Sequence, residues 1–179
     1  MFRKIHLLTL VFIGLSLSAC AFAPPIPTES RDSDAFVLQQ DLAGKSTGKG
    51  VFKTITGVKR GFTAKLDGIM DGDTFVLVED FIYDDGETDR KTWRFTPVSD
   101  GRFVGTREDV VGTADGFRDE NAFRLEYLVD LPRANGSSTR VRFKDVLVKN
   151  ADGSITNNAN VIYYGLRIGR VSLTITPDP

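Results

Sequence analysis

The sequence predicts an all-β domain for residues 34–179, built as an antiparallel up-and-down meander of short strands. Two observations carry this prediction. Apolar and polar residues alternate with period two through most of the range, and Asp-Gly or Asn-Gly pairs interrupt the alternation at short intervals. A hydrophobic fraction of 41% and a length of 179 residues suit one globular domain with a core of its own.

The strands are expected, in chain order, near residues 35–42, 48–56, 60–69, 73–83, 89–97, 101–107, 110–117, 121–130, 138–149, 154–162 and 166–176. The turns are expected in "MDGD", "DDGE", "SDGR", "RANGSS" and "ADGS", because glycine takes the positive φ that tight hairpins need. No segment predicts a helix. A meander this long curls, closes or splits, so we expect a lipocalin-like barrel, with an open half-barrel or a β-sandwich as alternatives.

The N-terminus predicts export. Arg3 and Lys4 precede an apolar run over 7–17, which at 11 residues is shorter than the roughly 20 that a helix needs to cross a bilayer. Leu17-Ser18-Ala19-Cys20 resembles the lipobox of bacterial lipoproteins, and Cys20 is the only cysteine. The resemblance implies cleavage after residue 19 and acylation of Cys20, for example with palmitate. An ordinary secretory cleavage site is the alternative.

The stretch after the cleavage site predicts a spacer. Residues 20–33 are rich first in proline and then in small and charged residues, with no periodic pattern. We therefore expect a signal peptide at 1–19, the lipidated cysteine and a linker at 20–33, and the β domain at 34–179. Ala21 follows the cysteine, and by resemblance to lipoproteins of Gram-negative bacteria this favours the periplasmic face of the outer membrane.

Alternation places a set of aromatic side chains on one face of the sheet. In a closed barrel that face either lines a pocket for one apolar molecule or fills the interior as plain core. The candidate ligand-binding residues are Phe81, Tyr83, Trp93, Phe95, Tyr127, Phe143 and Glu79. A carboxylate there is costly unless it is paired, so we expect Glu79 to meet an arginine or a tyrosine hydroxyl, or to lie at an open rim.

Catalytic residue types are scarce. The single histidine is His6, within the leader, and the single cysteine is the expected acylation site. Histidine-dependent nucleophilic catalysis and the usual zinc sites are thereby excluded from the mature chain. We expect no enzyme activity, no cofactor and no metal site, although a carboxylate beside a tyrosine leaves one enzymatic alternative. A net charge of −1 predicts no nucleic-acid partner.

Two local patterns are interpreted as structural. "AGKSTGKG" ends like a phosphate-binding loop, but the first glycine of that motif would fall on Gln39, so we interpret the stretch as a polar hairpin turn. The acidic hairpin at 79–89 offers the oxygen ligands that calcium prefers, but it lacks the spacing of an EF-hand loop. We expect a solvated acidic tip there.

Several segments form a distinctive set. They are Glu79-Asp80-Phe81 with Asp85-Gly86, Trp93, "GTREDVVG" from Gly105 to Gly112, and Gly165 with Gly169. From about Phe36 to the C-terminus, the chain resembles a bacterial lipoprotein family, domain of unknown function 3833. The resemblance implies a lipid-anchored envelope protein with a lipocalin-like sheet, and it implies no activity and no catalytic residue.

The function expected from these features is binding. We expect a membrane-attached envelope protein whose barrel takes up a fatty acid, a phospholipid or another apolar small molecule. The alternative is a structural or interaction lipoprotein with a packed barrel and no ligand, which contacts an envelope protein through exposed strands and the acidic hairpin. The interior decides between them, because a carrier requires an apolar cavity of more than about 300 Å³.

Overall fold

In the part of the chain that the structure describes, ten antiparallel strands close into one barrel. The computed structural model describes residues 23–28, 34–132 and 136–179. The elements are α1 (Leu38–Asp41), β1 (Gly44–Thr54), β2 (Lys59–Asp71), β3 (Thr74–Tyr83), β4 (Thr88–Ser99), β5 (Arg102–Thr106), β6 (Ala114–Asp119), β7 (Ala122–Pro132), β8 (Ser138–Lys149), β9 (Ile155–Tyr163) and β10 (Leu166–Pro177). Consecutive strands pair with each other, and β1 also pairs with β10. The predicted lipocalin-like barrel is therefore confirmed, in its closed form.

Tight turns occur at the glycines that the sequence pattern identifies. Gly72, Gly86, Gly101, Gly136 and Gly153 all have positive φ. A residue with a Cβ rarely adopts this conformation. Glycine at these positions therefore allows the chain to turn from one strand into the next. The regular spacing of such turns makes every strand antiparallel to its neighbours in the chain.

The first predicted strand, near residues 35–42, is wrong. The segment contains α1, a single helical turn in which Asp41 Oδ2 accepts a hydrogen bond of 2.7 Å from the Val37 amide. Leu38 and Leu42 are both buried, because residues four apart share one face of a helix. Helix α1 closes one end of the barrel with these side chains, so packing in the closed barrel decides its conformation.

Helix α1 fits against bare backbone of β2. A Cβ on Gly68 would lie 2.0 Å from the Leu42 carbonyl oxygen and 2.7 Å from Phe75 Cζ. The close approach therefore requires glycine. We call this end of the barrel the closed end, and the end at which the β1–β2, β3–β4, β7–β8 and β9–β10 hairpins turn the open end.

The expectation of a hairpin turn in "AGKSTGKG" is also wrong, because β1 already begins at Gly44. From Ser46 to Lys53 the residues of β1 have partners on both β2 and β10. Pairing on both sides outweighs the low strand propensity of the glycines in this stretch.

The strand predicted at 110–117 begins later, at Ala114. Residues 107–113 instead cross the open end as an irregular segment. The Val111 amide donates a hydrogen bond of 2.8 Å to the Leu128 carbonyl oxygen, and an isolated bridge joins this segment to β7. The segment thus completes the wall where β5 and β6 are too short to do so.

Part of the predicted linker lies on the outer wall of the barrel. Ile26 packs against an outward-facing cluster that includes the fully buried Val146. Arg124 Nη1 donates a hydrogen bond to the carbonyl oxygen of Pro24. Residues 23–28 are therefore attached to β7 and β8.

The other N-terminal features lie outside the described residues. These are the predicted signal peptide, His6, Cys20 and the remainder of the predicted linker. In the ranges that the structure describes, no helix is long and apolar enough to span a membrane.

Candidate functional site

The barrel holds a cavity of about 480 Å³ between α1 and the open end. Its walls are the inner faces of β1–β4 and β7–β10, and Leu38 and Leu42 form its floor. Its mouth lies among Arg60, Glu87 and Lys91. The volume is within the range of small-molecule sites and exceeds the voids that ordinary core packing leaves.

Glycines on β1 help to make room for this cavity. A Cβ on Gly48 would lie 2.8 Å from Leu173 Cδ1, and one on Gly50 would lie 2.3 Å from Phe62 Cζ. The Leu173 and Phe62 side chains therefore lie against bare backbone. Because these two side chains occupy the space next to the wall, they fill less of the lumen.

All of the predicted ligand-binding residues line the cavity. They are Phe81, Tyr83, Trp93, Phe95, Tyr127, Phe143 and Glu79. One group of rings joins Phe81, Tyr83 and Phe62, with the Phe62 and Phe81 centroids 5.6 Å apart. A second group runs from Phe95 through Trp93 and Tyr127 to Phe143, with centroids 5.1 Å apart at each step. Their position is as predicted, and their binding of a ligand stays a prediction.

A cation enters the cavity between these rings. Arg107 directly follows β5 and lines the cavity where residues 107–113 cross the open end. Its guanidinium carbon lies 4.5 Å from the centre of the Trp93 ring and 5.1 Å from that of Tyr127. A cation over an aromatic face is favourable by about 1–2 kcal/mol where water is largely excluded.

Arg107 is paired along one edge only. Its Nε donates to Asp109 Oδ1 at 2.7 Å, and its Nη2 donates to Asp109 Oδ2 at 3.3 Å. Burial would raise the pKa of Asp109, but the charges of Arg107 and Lys91 outweigh burial and lower it. Nη1 has no hydrogen-bond partner among the described residues, so it remains available to a bound molecule.

Asp145 is a buried carboxyl on the cavity wall with one unused oxygen. The Tyr127 hydroxyl donates to its Oδ2 at 3.5 Å, whereas its Oδ1 has no partner in the described ranges. Burial raises the pKa of Asp145 to about 7, against the opposing effects of the polar side chain of Asn157 and the charge of Arg107. An unpaired buried polar atom costs on the order of 1–3 kcal/mol, so Oδ1 is suited to pair with a ligand.

Glu79 faces the same space from β3. Burial raises the pKa of Glu79 to about 7, and the positive charge of Arg107 opposes this shift. An arginine or a tyrosine hydroxyl is the partner expected for Glu79. Arg107 acts on Glu79 through its charge, and Glu79 has no side-chain hydrogen bond to it among the described residues. Glu79 and Asp145 therefore give the cavity two carboxyls that each change protonation state near neutral pH.

The acidic hairpin between β3 and β4 is ion-paired as well as exposed. Arg60 Nε lies 2.8 Å from Asp85 Oδ2, and Arg60 Nη2 contacts Glu87. Lys91 Nζ lies 3.0 Å from Asp89 Oδ2. Within the described ranges, no three His, Cys, Asp or Glu side chains come together as a metal site. The hairpin therefore forms a network of ion pairs beside the mouth.

Most of the polar residues of the cavity are not among the binding residues predicted from sequence. Alternation with Val141 and Phe143 does place Asp145 on the inward face of β8, but that pattern alone does not mark it as a binding residue. Lys91 alternates in the same way with inward residues of β4. Arg107 and Asp109 lie outside every strand and carry no periodic signal. Only the path of the 107–113 segment brings them to the cavity.

Comparisons with known proteins bear on the fold and the family. The family model described as "Protein of unknown function (DUF3833)" matches residues 15–177. Among solved structures, the S-type phycobiliprotein lyase CPES from Guillardia theta is similar, with a TM-score of 0.60 and 8% sequence identity. The match covers 79% of this chain and 90% of that chain, and at this identity it shows a shared fold alone. No curated protein matches the sequence.

Proposed function

The chain belongs to the family described as "Protein of unknown function (DUF3833)", and we propose that it is a binding module that holds one small amphipathic molecule inside its barrel. The cavity carries this proposal. It combines about 480 Å³ of space, aromatic walls and a buried carboxyl oxygen, Asp145 Oδ1, that has no hydrogen-bond partner among the described residues. A barrel packed only for stability would fill such space and pair such an atom.

The chemistry of the cavity favours a ligand with an apolar body and one polar group that accepts hydrogen bonds. The rings around Trp93 and Phe81 suit the apolar body, because burying it there removes its surface from water. Arg107 Nη1 donates a hydrogen bond, and so do Glu79 and Asp145 when they are protonated. A carboxyl or ester group can accept all of these bonds.

The size of the cavity favours a fatty acid or a similarly compact molecule. Sites of this volume enclose one drug-sized molecule. A phospholipid carries two acyl chains and a headgroup, so part of it would remain outside the mouth. Barrels of eight or more strands commonly hold one small ligand, so the fold is compatible with this use.

We propose further that the protein is an envelope lipoprotein, anchored by acylated Cys20 at the periplasmic face of the outer membrane. The apolar leader, the lipobox-like Leu17 to Cys20 and the following Ala21 support this proposal. Two or more acyl chains give stable anchoring, which one chain does not. Only residues 21 and 22 separate Cys20 from the described segment on the barrel wall, so the anchor would keep the barrel close to the bilayer.

Native mass spectrometry of residues 23–179, purified from a bacterial host and followed by lipid extraction, tests the cavity. This fragment contains α1, all ten strands and both hydrophobic clusters, so it holds the complete folding unit. We expect a co-purified amphiphile at about one per chain. A clean apo mass that added fatty acid does not change would contradict the proposal.

A matched pair of variants makes this test specific. Ala159 lines the cavity and is buried, so Ala159→Leu fills part of the lumen and should remove the ligand. Thr174 is exposed on the neighbouring β10, so Thr174→Leu adds the same bulk outside and should keep the ligand. Loss of ligand in both variants, or in neither, would place the bound molecule elsewhere.

A further inference from the structure

Two hairpin tips at the open end carry exposed apolar side chains. Ile55 and Val58, at the β1–β2 tip, are 69% and 58% exposed, and Tyr164 and Leu166, at the β9–β10 tip, are 88% and 70% exposed. The tips are neighbours, because the Ile55 amide donates a hydrogen bond of 3.0 Å to the Ile168 carbonyl oxygen. We call Ile55, Val58, Tyr164 and Leu166 the apolar rim.

Basic residues lie directly behind the apolar rim. Lys53 is opposite Lys59 on β2 and opposite Arg170 on β10, so three cations stand side by side on three strands. Arg167 adds a fourth. Like charges at opposed positions destabilise a sheet. We call Lys53, Lys59, Arg167 and Arg170 the basic belt.

The basic belt lacks the pairing that other cations of the wall have. Arg90 pairs across the sheet with Asp80, Arg140 with Asp130 and Arg102 with Asp115. Within the described residues, no member of the basic belt lies in an ion pair. Ranges 53–60 and 161–171 contain no aspartate or glutamate at all. The belt is therefore a surface without acidic neighbours in its own hairpins.

Tyr164 occupies a turn position that is unfavourable for it. The two loop residues between β9 and β10 are Tyr164, with φ of 45°, and Gly165, with φ of 77°. A two-residue hairpin loop with positive φ at both positions favours Asn, Asp or Gly at the first position. A tyrosine there is strained, and such strain is typical of a residue that is kept for a function.

We propose that the apolar rim and the basic belt dock onto the surface of an anionic lipid bilayer. Apolar side chains that project from loop tips enter the boundary between headgroups and acyl chains, while Lys and Arg behind them contact anionic headgroups. Tyrosine suits this boundary because it has an apolar body and a polar tip. Four protruding side chains are a small contact for a protein partner, whose stable interfaces bury about 800 Å² on each side.

Docking in this way would hold the cavity mouth at the membrane. Phe52 and Phe62 lie on the two strands that carry the β1–β2 tip, and both line the cavity. A molecule could then pass between bilayer and lumen with little exposure to water. The inference rests on outward side chains only, so it stands or falls independently of any ligand in the cavity.

Vesicle flotation with residues 23–179 tests the proposal. The vesicles contain phosphatidylglycerol mixed with phosphatidylethanolamine, and phosphatidylcholine vesicles serve for comparison. We expect binding to the anionic vesicles, weaker binding at high salt, and a loss of affinity of about a hundredfold when Lys53, Lys59 and Arg170 are changed together to Gln. No binding to anionic vesicles would overturn the proposal.

Apolar variants separate docking from folding. Ile55→Ser with Leu166→Ser should lower vesicle affinity by about tenfold or more. Ile69→Ser with Met70→Ser is the matched control, because these exposed residues lie at the closed end and should leave affinity unchanged. Equal losses in both double variants would overturn the proposal.

Tyr164→Asn should change folding stability and vesicle binding in opposite directions. Asparagine tolerates the positive φ, so we expect a higher unfolding midpoint together with weaker vesicle binding. A stabilised variant that binds vesicles as before would contradict the role of Tyr164. If the rim instead joins two copies of the chain, sedimentation without lipid would show a dimer that Ile55→Ser with Leu166→Ser dissociates, and the membrane assignment would fail.

Discussion

Arg107 and Trp93 form a cation–π pair inside the barrel, with the guanidinium carbon 4.5 Å from the ring centre. Trp93 belongs to β4, whereas Arg107 belongs to the irregular segment that crosses the open end. Trp93 is also the single tryptophan of the chain. Its fluorescence therefore reports on the cavity alone.

Arg107→Lys is expected to lower the free energy of unfolding by about 1–2 kcal/mol. Lysine keeps the charge, but it loses the planar contact with Trp93 and the two-point bond to Asp109. Denaturant titration followed by Trp93 emission measures the change. Arg94→Lys is the control, because Arg94 is exposed and pairs loosely with Asp71 at 3.5 Å, so its cost should be below about 0.5 kcal/mol. Equal costs would refute a special role for Arg107.

Stability should increase as the pH falls from about 8 to about 5. Glu79 and Asp145 have folded-state pKa values of about 7, above their values of 4.5 and 3.8 when solvated, so the folded state binds more protons in this window. The stabilisation is fully present below the solvated pKa and is lost as the pH rises through 7. Each carboxyl contributes on the order of 2 kcal/mol across the window.

Asp145→Asn should flatten this pH dependence, because an amide does not titrate. Denaturant midpoints at several pH values measure the slope. Asp80→Asn is the control, since the hydrogen bond from Arg90 lowers the pKa of Asp80, so Asp80 stays ionised across this window and its loss should leave the slope as it is. An unchanged slope in Asp145→Asn would mean that Asp145 titrates at an ordinary pH in the folded protein.

Gly68→Ala should destabilise the barrel by about 2 kcal/mol or more, through overpacking at the closed end. The added Cβ would lie 2.0 Å from the Leu42 carbonyl oxygen, so α1 would have to move away from β2. Hydrogen exchange at the Leu42 amide, which bonds to the Leu38 carbonyl, should speed up more than exchange in β7. Asp67→Ala, at the exposed neighbouring position, should change neither quantity by much.

Ile26→Ser should release residues 23–28 from the barrel wall. The change removes the apolar contact with the outer cluster that includes Val146, so the hydrogen bond from Arg124 to Pro24 would stand alone. Limited proteolysis should then cleave ahead of Phe36 more rapidly, while the barrel stays intact. Thr28→Ser, at an exposed position, should leave the rate unchanged. No acceleration in Ile26→Ser would show that other contacts hold the segment.

Cys20→Ser should leave the full chain as an unprocessed or soluble precursor in a Gram-negative host, without the outer-membrane attachment of the parent chain. The serine hydroxyl cannot form the thioether through which a lipoprotein is acylated, so incorporation of labelled palmitate should stop. Fractionation after a high-salt wash, which removes proteins held by charge, measures attachment. Ala23→Ser is the control and should remain acylated. A Cys20→Ser chain that is processed and still fractionates with the outer membrane after the wash would refute the lipid anchor.

The sequence by itself determined the strand pattern and the inward face. Residues two apart on a strand share a face whether or not the sheet closes, so Phe81, Tyr83 and Trp93 could be assigned to one surface. Turn glycines such as Gly86 carry their own conformational signal. These properties depend on residues that are close together in the chain, so they can be predicted from the sequence.

The tertiary structure decided everything that depends on closure. Pairing of β1 with β10 closes the sheet, so the inward face encloses a cavity. Closure also creates the barrel end that α1 covers. The path of residues 107–113 brings Arg107 to Trp93, although no periodic signal links the two. Closure also removes Asp145 from water, which raises its pKa, and Oδ1 has no partner among the residues that the structure describes. Burial and long-range contact are properties of the assembled chain, because they depend on residues far apart in sequence.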